Sequence, residues 1–133
     1  MNRSETIGAL AAALAKAQYG MKNPAFDRTN PHFRNKYASL PAVRDAVVPA
    51  LAANGISVVQ GLKAADDGVE CETMLIHASG EWISETLKLP VSKNDPQGVI
   101  SSSTYARRVA LQSMVCVAAD DDDDGRLRRR ARP

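Results

Sequence analysis

Two tight-turn signals separate three runs of strand-forming residues between positions 56 and 91. The first run, "ISVVQGL", ends near Lys63, and the turn "DDG" at 66–68 precedes the second run, "VECETMLIHA". The turn "SGE" at 79–81 then precedes the third run, "WISETLKLPV". Because turns this short join antiparallel neighbours, the sequence predicts a three-stranded antiparallel β-meander.

A long helix is expected after the third strand. The polar loop "SKNDPQG" at 92–98 leads into a helical pattern from Pro96 or Gly98 to Ala118. With two helices before the meander, the element order is α-α-β-β-β-α. We therefore expect an α+β fold in which the meander packs against the long C-terminal helix, with the N-terminal helices beside them.

Two helices are predicted before the meander. Residues 4–19 are rich in alanine, with Ser4 as the expected N-cap. The second helix is expected from Ser39 to about Asn54, with a left-handed stop at the following glycine. Pro49 lies inside it and predicts a kink or a break into two pieces. The stretch between the two helices predicts a long loop, which favours a functional role.

The length of 133 residues fits one domain. We expect a folded domain over 1–119 and a charged, disordered tail over 120–133, which holds five aspartates followed by five arginines. The two cysteines form no CxxC pair, so free thiols in a reducing cytoplasm are expected. The N-terminus lacks the pattern of a signal peptide, and no apolar stretch is long enough to cross a membrane.

Positive charge is concentrated in residues 22–44, a segment that contains five basic side chains and one acidic side chain. Within this segment, "HFRNKY" at 32–37 alternates rings with cations, the mixture that binds phosphates and stacks on bases. Arg34, Lys36 and Tyr37 are therefore candidate DNA-binding residues. The alternative is a surface loop whose Phe33 and Tyr37 fill the core while the two cations are merely solvated.

An arginine pair interrupts the apolar pattern of the C-terminal helix in "TYARRVALQ". Consecutive helical residues diverge by about 100°, so one narrow solvent stripe cannot hold both Arg107 and Arg108. At least one guanidinium must meet another part of the protein or a ligand, because burying it alone costs several kcal/mol. Two kinds of partner remain open. One is a phosphate, and the other is an internal carboxylate, for example that of Glu70, Glu72 or Glu85 in the sheet.

Signals for an enzyme are weak. There is no Walker motif, and the acid/base pair that His77 and Glu81 could form flanks a turn where polar residues are expected anyway. The aspartate run at 120–124 favours a solvated tail over a metal site. We therefore expect no catalytic residue, no metal and no cofactor.

Three segments together resemble the ERF family of phage single-strand DNA annealing proteins. They contain F-x-N-x-Y-A-S-L, N-G-I-S-V-x-Q, H-x-S-G-E and T-Y-A-R-R in this order, and they lie at 33–60, 74–84 and 95–125. Features of the family fall on the following residues: Tyr37, Ser39, Gly55, Gly80, Thr104, Tyr105 and Arg108. The chain departs from the family pattern at Val109, where an aromatic residue is usual, and near Cys116, where a glycine is usual.

The resemblance implies a β-β-β-α annealing core, rings or helical filaments of identical subunits, and pairing of complementary DNA strands without ATP. It also implies a phage or prophage gene acting in the bacterial cytoplasm, with single-stranded DNA as partner and no membrane. A host single-strand-binding protein or a phage exonuclease remains open as a further partner.

On this basis we expect the arginine pair to line a groove for the backbone of one DNA strand. The candidate DNA-binding residues are Arg34, Lys36, Tyr37, Lys93, Thr104, Tyr105, Arg107 and Arg108. The tyrosines serve either as stacking platforms or as core residues, and for Tyr105 we expect the core. Two other classes remain open: an architectural or regulatory protein that binds duplex DNA, and a metal-dependent nuclease using His77 and Glu81.

Overall fold

The computed structural model describes residues 1–91 and 93–121, and in this part of the chain three helices pack on one face of an antiparallel sheet. The helices are α1 (Gly8–Gly20), α2 (Leu40–Ala53) and α3 (Pro96–Val115). The strands are β1 (Asn2–Arg3), β2 (Arg28–Thr29), β3 (Lys36–Tyr37), β4 (Ile56–Ala65), β5 (Gly68–His77) and β6 (Trp82–Pro90). The predicted α+β class and the C-terminal helix are confirmed.

The main sheet contains the predicted meander but is not limited to it. Its strand order is β1-β6-β5-β4, so a fourth strand lies beside β6, and the expectation of three strands is wrong in this respect. The two residues of β1 pair with Ser84 and Ile83. A strand this short carries no sequence period, and for this reason the hydrophobic pattern did not indicate it. The sheet edge along β6 is therefore partly covered, whereas β4 is the opposite edge strand.

The start of α1 differs from the prediction because Ser4 has another role. The helix begins at Gly8, and Ser4 continues the pairing of β1 with β6: its N–H donates to the Trp82 carbonyl at 2.9 Å. Glu81 takes over the helix N-terminus, where its carboxylate accepts from the Leu10 N–H at 2.9 Å and the Thr6 hydroxyl at 2.7 Å. These hydrogen bonds lower the pKa of Glu81. The carboxylate considered above for acid/base chemistry thus has a structural role.

Helix α2 forms as its end signals predict. The Ser39 hydroxyl accepts from the Ala42 N–H at 3.3 Å, and Gly55 follows the helix with φ +75°. Asp27 accepts from both the backbone N–H and the hydroxyl of Ser39, each at 2.7 Å, which lowers the pKa of Asp27. The helix is not broken at Pro49. Proline has no N–H, so the carbonyl one turn before Pro49 receives no helical hydrogen bond from it. Because Pro49 is exposed, that carbonyl can bind water instead.

Two adjoining clusters form the core. The larger one joins all three helices to β4 and β5 and includes Leu10, Val47, Leu51, Leu75 and Leu111, each almost completely buried. The smaller one, of Cys71, Ala106 and Ala110, lies where α3 crosses β5 and β6. The two alanines allow α3 to lie close to the sheet, and the side chains at 107 and 108 leave the helix in directions other than this contact, about 100° apart.

Helix α3 begins as predicted and ends three residues early. The Asp95 carboxylate caps it by accepting from the Gly98 N–H at 2.7 Å, and Pro96 occupies the first turn. Cys116 ends the helix in the left-handed conformation, with φ +64°. This conformation is costly for any residue with a side chain and is the usual position of a C-terminal glycine. No helix of the described residues has the length and apolarity needed to span a membrane.

The left-handed Cys116 generates a test of the fold. Cys116→Gly removes the steric cost of positive φ at an exposed site, and we expect it to raise the free energy of unfolding by about 0.5–1 kcal/mol. Cys116→Ala is the matched control, since it removes the same thiol but keeps Cβ and should bring no gain. Urea denaturation of the three proteins measures the difference. Equal stability of the glycine and alanine variants would contradict a left-handed helix end at this position.

Candidate nucleic-acid interface

Arg108 lies at the centre of the candidate site. Although it is charged, its residue surface is only 6% exposed. Its Nη1 donates to Oδ1 of Asp120 at 2.9 Å, and its Cζ lies 4.9 Å from the ring centre of Tyr37 and 5.3 Å from that of Tyr105. One carboxylate and two π faces thus compensate the buried positive charge.

Main-chain pairing brings Tyr37 and Asp120 together. The N–H of Ala38 donates to the Ala119 carbonyl at 2.7 Å, and the N–H of Asp121 donates to the Lys36 carbonyl at 3.0 Å. These bonds flank an antiparallel bridge between Tyr37 and Asp120. The chain after α3 therefore runs beside β3, and Asp120 faces the helix that precedes it. The predicted tail begins in this paired segment, and residues 122–133 lie outside the described part of the chain.

The predicted loop contains a small hairpin of its own. Strands β2 and β3 pair Arg28 with Tyr37 and Thr29 with Lys36. The Asn30 carboxamide accepts from the N–H groups of His32 at 2.9 Å and Phe33 at 3.4 Å, which fixes the turn. The hairpin places the ring of Tyr37 against α3.

A cleft of about 990 Å³ lies between this hairpin, the start of α2 and one side of α3. We call it the Arg108 cleft. Cations, rings, amides and hydroxyl groups line it together, and they include Arg28, Asn30, His32, Tyr37, Ile100, Thr104, Tyr105, Arg108 and Asp120. Ile100 and Tyr105 are 66% and 53% exposed. The mixture can bind phosphate through its cations and stack on a base through its rings.

The predicted site residues fall into three groups. Tyr37, Thr104, Tyr105 and Arg108 meet in the Arg108 cleft. Arg34, Lys36 and Lys93 are exposed and do not line it; the first two lie on the hairpin and the third precedes α3. Arg107 does not line the cleft either, and its carbonyl contacts Gln60 of β4.

The structure contradicts the expected core position of Tyr105 and also the alternative in which Phe33 fills the core. Tyr105 is not a core residue, because half of its surface is exposed beside Arg108. Phe33 is 55% exposed and fills no core position either. Apolar periodicity alone did not indicate the exposure of Tyr105. The periodicity locates the core face of a helix, whereas the ring of Tyr105 packs on the guanidinium of Arg108.

Arg107 has a different environment. Its carbonyl accepts from the Gln60 carboxamide at 3.0 Å, while its Nε is buried and has no hydrogen-bond partner among the residues that the structure describes. Its charge reaches Cys71 beneath the helix, where it opposes the rise in thiol pKa that burial causes. A second cleft of about 220 Å³, lined by Gln60, Arg44, Leu111 and two valines, opens on this side of α3.

The sheet glutamates do not serve as partners of the arginine pair. In residues 1–91 and 93–121, the ion pairs are Arg108 with Asp120 and the N-terminal amine with Glu85 at 3.2 Å. Glu70 and Glu72 alternate with the core residues of β5 and so point to the opposite sheet face. The alternative of an internal ion pair is therefore present for Arg108, but its carboxylate comes from Asp120 and not from one of the three sheet glutamates. Within the same described ranges, no group of three or more metal-ligating side chains occurs.

Sequence reasoning missed Arg28, Asn30 and Asp120 as members of the site. Arg28 lies in the basic segment and could have been found by extending the loop motif backwards. Asn30 is a common turn residue, so its role in fixing the hairpin has a local signal. Asp120 has none, because only the bridge to β3 brings it beside Arg108.

The fold and the cleft define a class of protein: an α+β domain with a basic, ring-lined cleft typical of nucleic-acid binding. The model of the ERF superfamily matches residues 10–130. The chain therefore belongs to the ERF superfamily, a family of phage-type single-strand annealing and recombination proteins, as the sequence motifs predicted. No curated protein and no solved structure matches the chain.

The contrast between the two arginines predicts different effects on stability. Arg108→Ala removes an ion pair and two ring interactions, and we expect a decrease of about 1–3 kcal/mol in the free energy of unfolding, because Asp120 can regain water. Arg107→Ala removes a cation whose buried Nε has no hydrogen-bond partner in residues 1–91 and 93–121, and we expect a change below about 0.5 kcal/mol in the free energy of unfolding. Thermal and urea unfolding of both variants measure this. A larger decrease for Arg107→Ala than for Arg108→Ala would contradict the described geometry.

Proposed function

We propose that this protein binds single-stranded DNA and anneals complementary strands without ATP during phage homologous recombination. Membership of the ERF superfamily supports this proposal at the level of the family. The observation that carries it is the Arg108 cleft, where a buried guanidinium lies between two tyrosine rings at 4.9 and 5.3 Å. A cation for phosphate beside rings for bases is the combination that single-strand binding requires.

In this proposal, each part of the cleft has its own role. Arg108 binds a backbone phosphate, and Arg28 adds positive charge on the hairpin side of the cleft. The half-exposed Tyr105 offers a face on which a base stacks, and Thr104 donates its hydroxyl to a phosphate or sugar oxygen. Contacts of this kind read the backbone and the π face of any base, so little sequence preference is expected.

The exposed cations extend the positive surface beyond the cleft. Arg34 and Lys36 carry charge along the hairpin, and Lys93 carries it in front of α3. Their role in the proposal is attraction at a distance, which accelerates encounter and weakens with salt. Arg107 would contact a strand only if the strand also reaches the far side of α3.

Annealing itself requires no bond cleavage. The protein holds phosphates so that bases face outward, and a complementary strand pairs with them. The proposed mechanism therefore needs neither a catalytic residue nor a cofactor, and the bacterial cytoplasm is the compartment in which phage recombination would require it. An architectural protein that binds duplex DNA remains the alternative, and the comparison of single-stranded with duplex DNA below distinguishes the two.

The central test measures binding and annealing with the same variants. Arg108→Gln should weaken binding of a labelled single strand for all sequences alike. The slope of log affinity against log salt concentration should become shallower by roughly 0.7 for each phosphate that the variant no longer neutralises. Annealing, read by fluorescence quenching of complementary oligonucleotides without ATP, should slow with it. Arg3→Gln is the matched control, since this exposed arginine on β1 lies outside the cleft.

Two results would contradict the proposal. Undiminished affinity in a folded Arg108→Gln protein would exclude the Arg108 cleft as the binding site. Tighter binding to duplex than to single-stranded DNA, without strand annealing, would favour the architectural alternative.

We also propose that identical subunits associate through the sheet edge at β4 and the N-terminal helix. Strand β4 is ten residues long, and its outer edge pairs with no strand in the described part of the chain. A long edge strand is a ready template for pairing with another chain. Val59 and Leu62 on this strand are both 50% exposed, which adds apolar surface to the edge.

Light scattering at micromolar concentration tests the association, with and without a single strand. We expect an oligomer, and Val59→Lys should lower its mass because a charge on an edge strand opposes pairing. Thr86→Lys, an exposed change on β6 away from the β4 edge, is the control and should leave the mass unchanged. A strict monomer under both conditions would refute the proposal.

A further inference from the structure

The carboxylate of Asp120 occupies the position that the proposed function gives to a phosphate. Its Oδ1 lies 2.9 Å from Nη1 of Arg108, and its Oδ2 accepts from the Gln112 carboxamide at 2.9 Å. Asp120 also lines the Arg108 cleft. A carboxylate and a phosphate offer a guanidinium the same pair of acceptor oxygens, so they compete for the same donors.

We infer that Asp120 is an intrachain competitor of the DNA phosphate, and that a strand binds to Arg108 by displacing this carboxylate. The inference rests on the proposed function and concerns the regulation of the same site. It assigns the first aspartate of the acidic run a role in setting the affinity of the cleft. It also assigns Gln112 a positioning role, because this residue holds one oxygen of the carboxylate while Arg108 binds the other.

The geometry makes the carboxylate the partner that moves. The side chain of Arg108 is 8% exposed, whereas that of Asp120 is 41% exposed. Rotation of Asp120 into water costs little desolvation, but Arg108 cannot leave the cleft without breaking its interactions with the two rings. The main chain of Asp120 stays in place during such a rotation, since the flanking bonds of Ala38 to Ala119 and of Asp121 to Lys36 do not involve the side chain.

An internal anion also explains how the protein maintains a buried cation before DNA arrives. A guanidinium left alone in this environment would be costly, because burial removes its water. Asp120 compensates the charge of Arg108 and holds its guanidinium in place beside the two rings. The cost of this arrangement is a lower apparent affinity, since only the fraction of molecules with a displaced carboxylate can bind a phosphate.

The experiment measures the affinity of labelled oligo-deoxythymidylate for three variants by fluorescence anisotropy at several salt concentrations. Asp120→Asn should bind roughly three- to tenfold more tightly than the wild type, the range expected from removing a half-exposed ionic competitor. Gln112→Ala should show a smaller increase in the same direction. Asp66→Asn in the β4–β5 turn is the matched control, because it changes the net charge equally away from the cleft.

A second set on the Arg108→Gln background identifies the mechanism. Competition requires both side chains, so Asp120→Asn should then change affinity no more than Asp66→Asn does. One result would overturn this inference but leave the proposed function standing. In it, Arg108→Gln weakens binding, yet with Arg108 intact Asp120→Asn has the same affinity as Asp66→Asn. If Arg108→Gln binds as well as Arg3→Gln, the proposed function itself fails.

Circular dichroism and thermal melting check that each variant is folded. Where Asp120→Asn does not fold, Gln112→Ala decides, since it loosens the carboxylate and leaves the ion pair in place. An affinity of folded Gln112→Ala equal to that of the wild type would then overturn the inference.

Discussion

The charge of Arg108 is the constraint on which the arrangement of the site depends. A guanidinium that α3 places almost out of contact with water needs an anion and polarisable neighbours. Asp120 and the rings of Tyr37 and Tyr105 supply them from three parts of the chain. The hairpin, the helix and the segment after the helix are thereby joined at one point, and the cleft forms around it. The same interaction that stabilises this corner of the fold defines its chemistry.

The elements with strong local signals could be predicted from the sequence. The cap at Ser39, the left-handed Gly55 and the two tight turns each have a side-chain or backbone cause within a few residues, and they lie where expected. Helix α3 begins at Pro96 for the same reason, because Asp95 caps it. Local chemistry is sufficient wherever the hydrogen-bonding partner lies one turn away.

Features that depend on distant partners could not be predicted. Ser4 has the composition of an N-cap, yet the edge of β6 offers its backbone a better partner. Glu81 then caps α1 from a position far along the chain. In the sequence, Asp120 does not differ from the other aspartates of its run. Only the bridge to Tyr37, a tertiary contact, places it beside Arg108. In each case a tertiary contact overrides the local preference, which explains why the sequence identified the arginine pair but not its partner.

The divergence of neighbouring helical residues separates the two arginines by function as well as by position. Because about 100° lies between them, Arg108 lines the Arg108 cleft, whereas Arg107 does not and contacts Gln60 of β4 through its carbonyl. The need of Arg108 for an anion is met inside the protein by Asp120, so in the proposed binding mode a phosphate exchanges with this carboxylate. The buried Nε of Arg107 has no hydrogen-bond partner among the described residues. The two neighbouring arginines of the motif therefore differ within the described residues: Arg108 has a carboxylate partner, and the Nε of Arg107 has no hydrogen-bond partner. The exchange of carboxylate for phosphate that we propose concerns Arg108 alone.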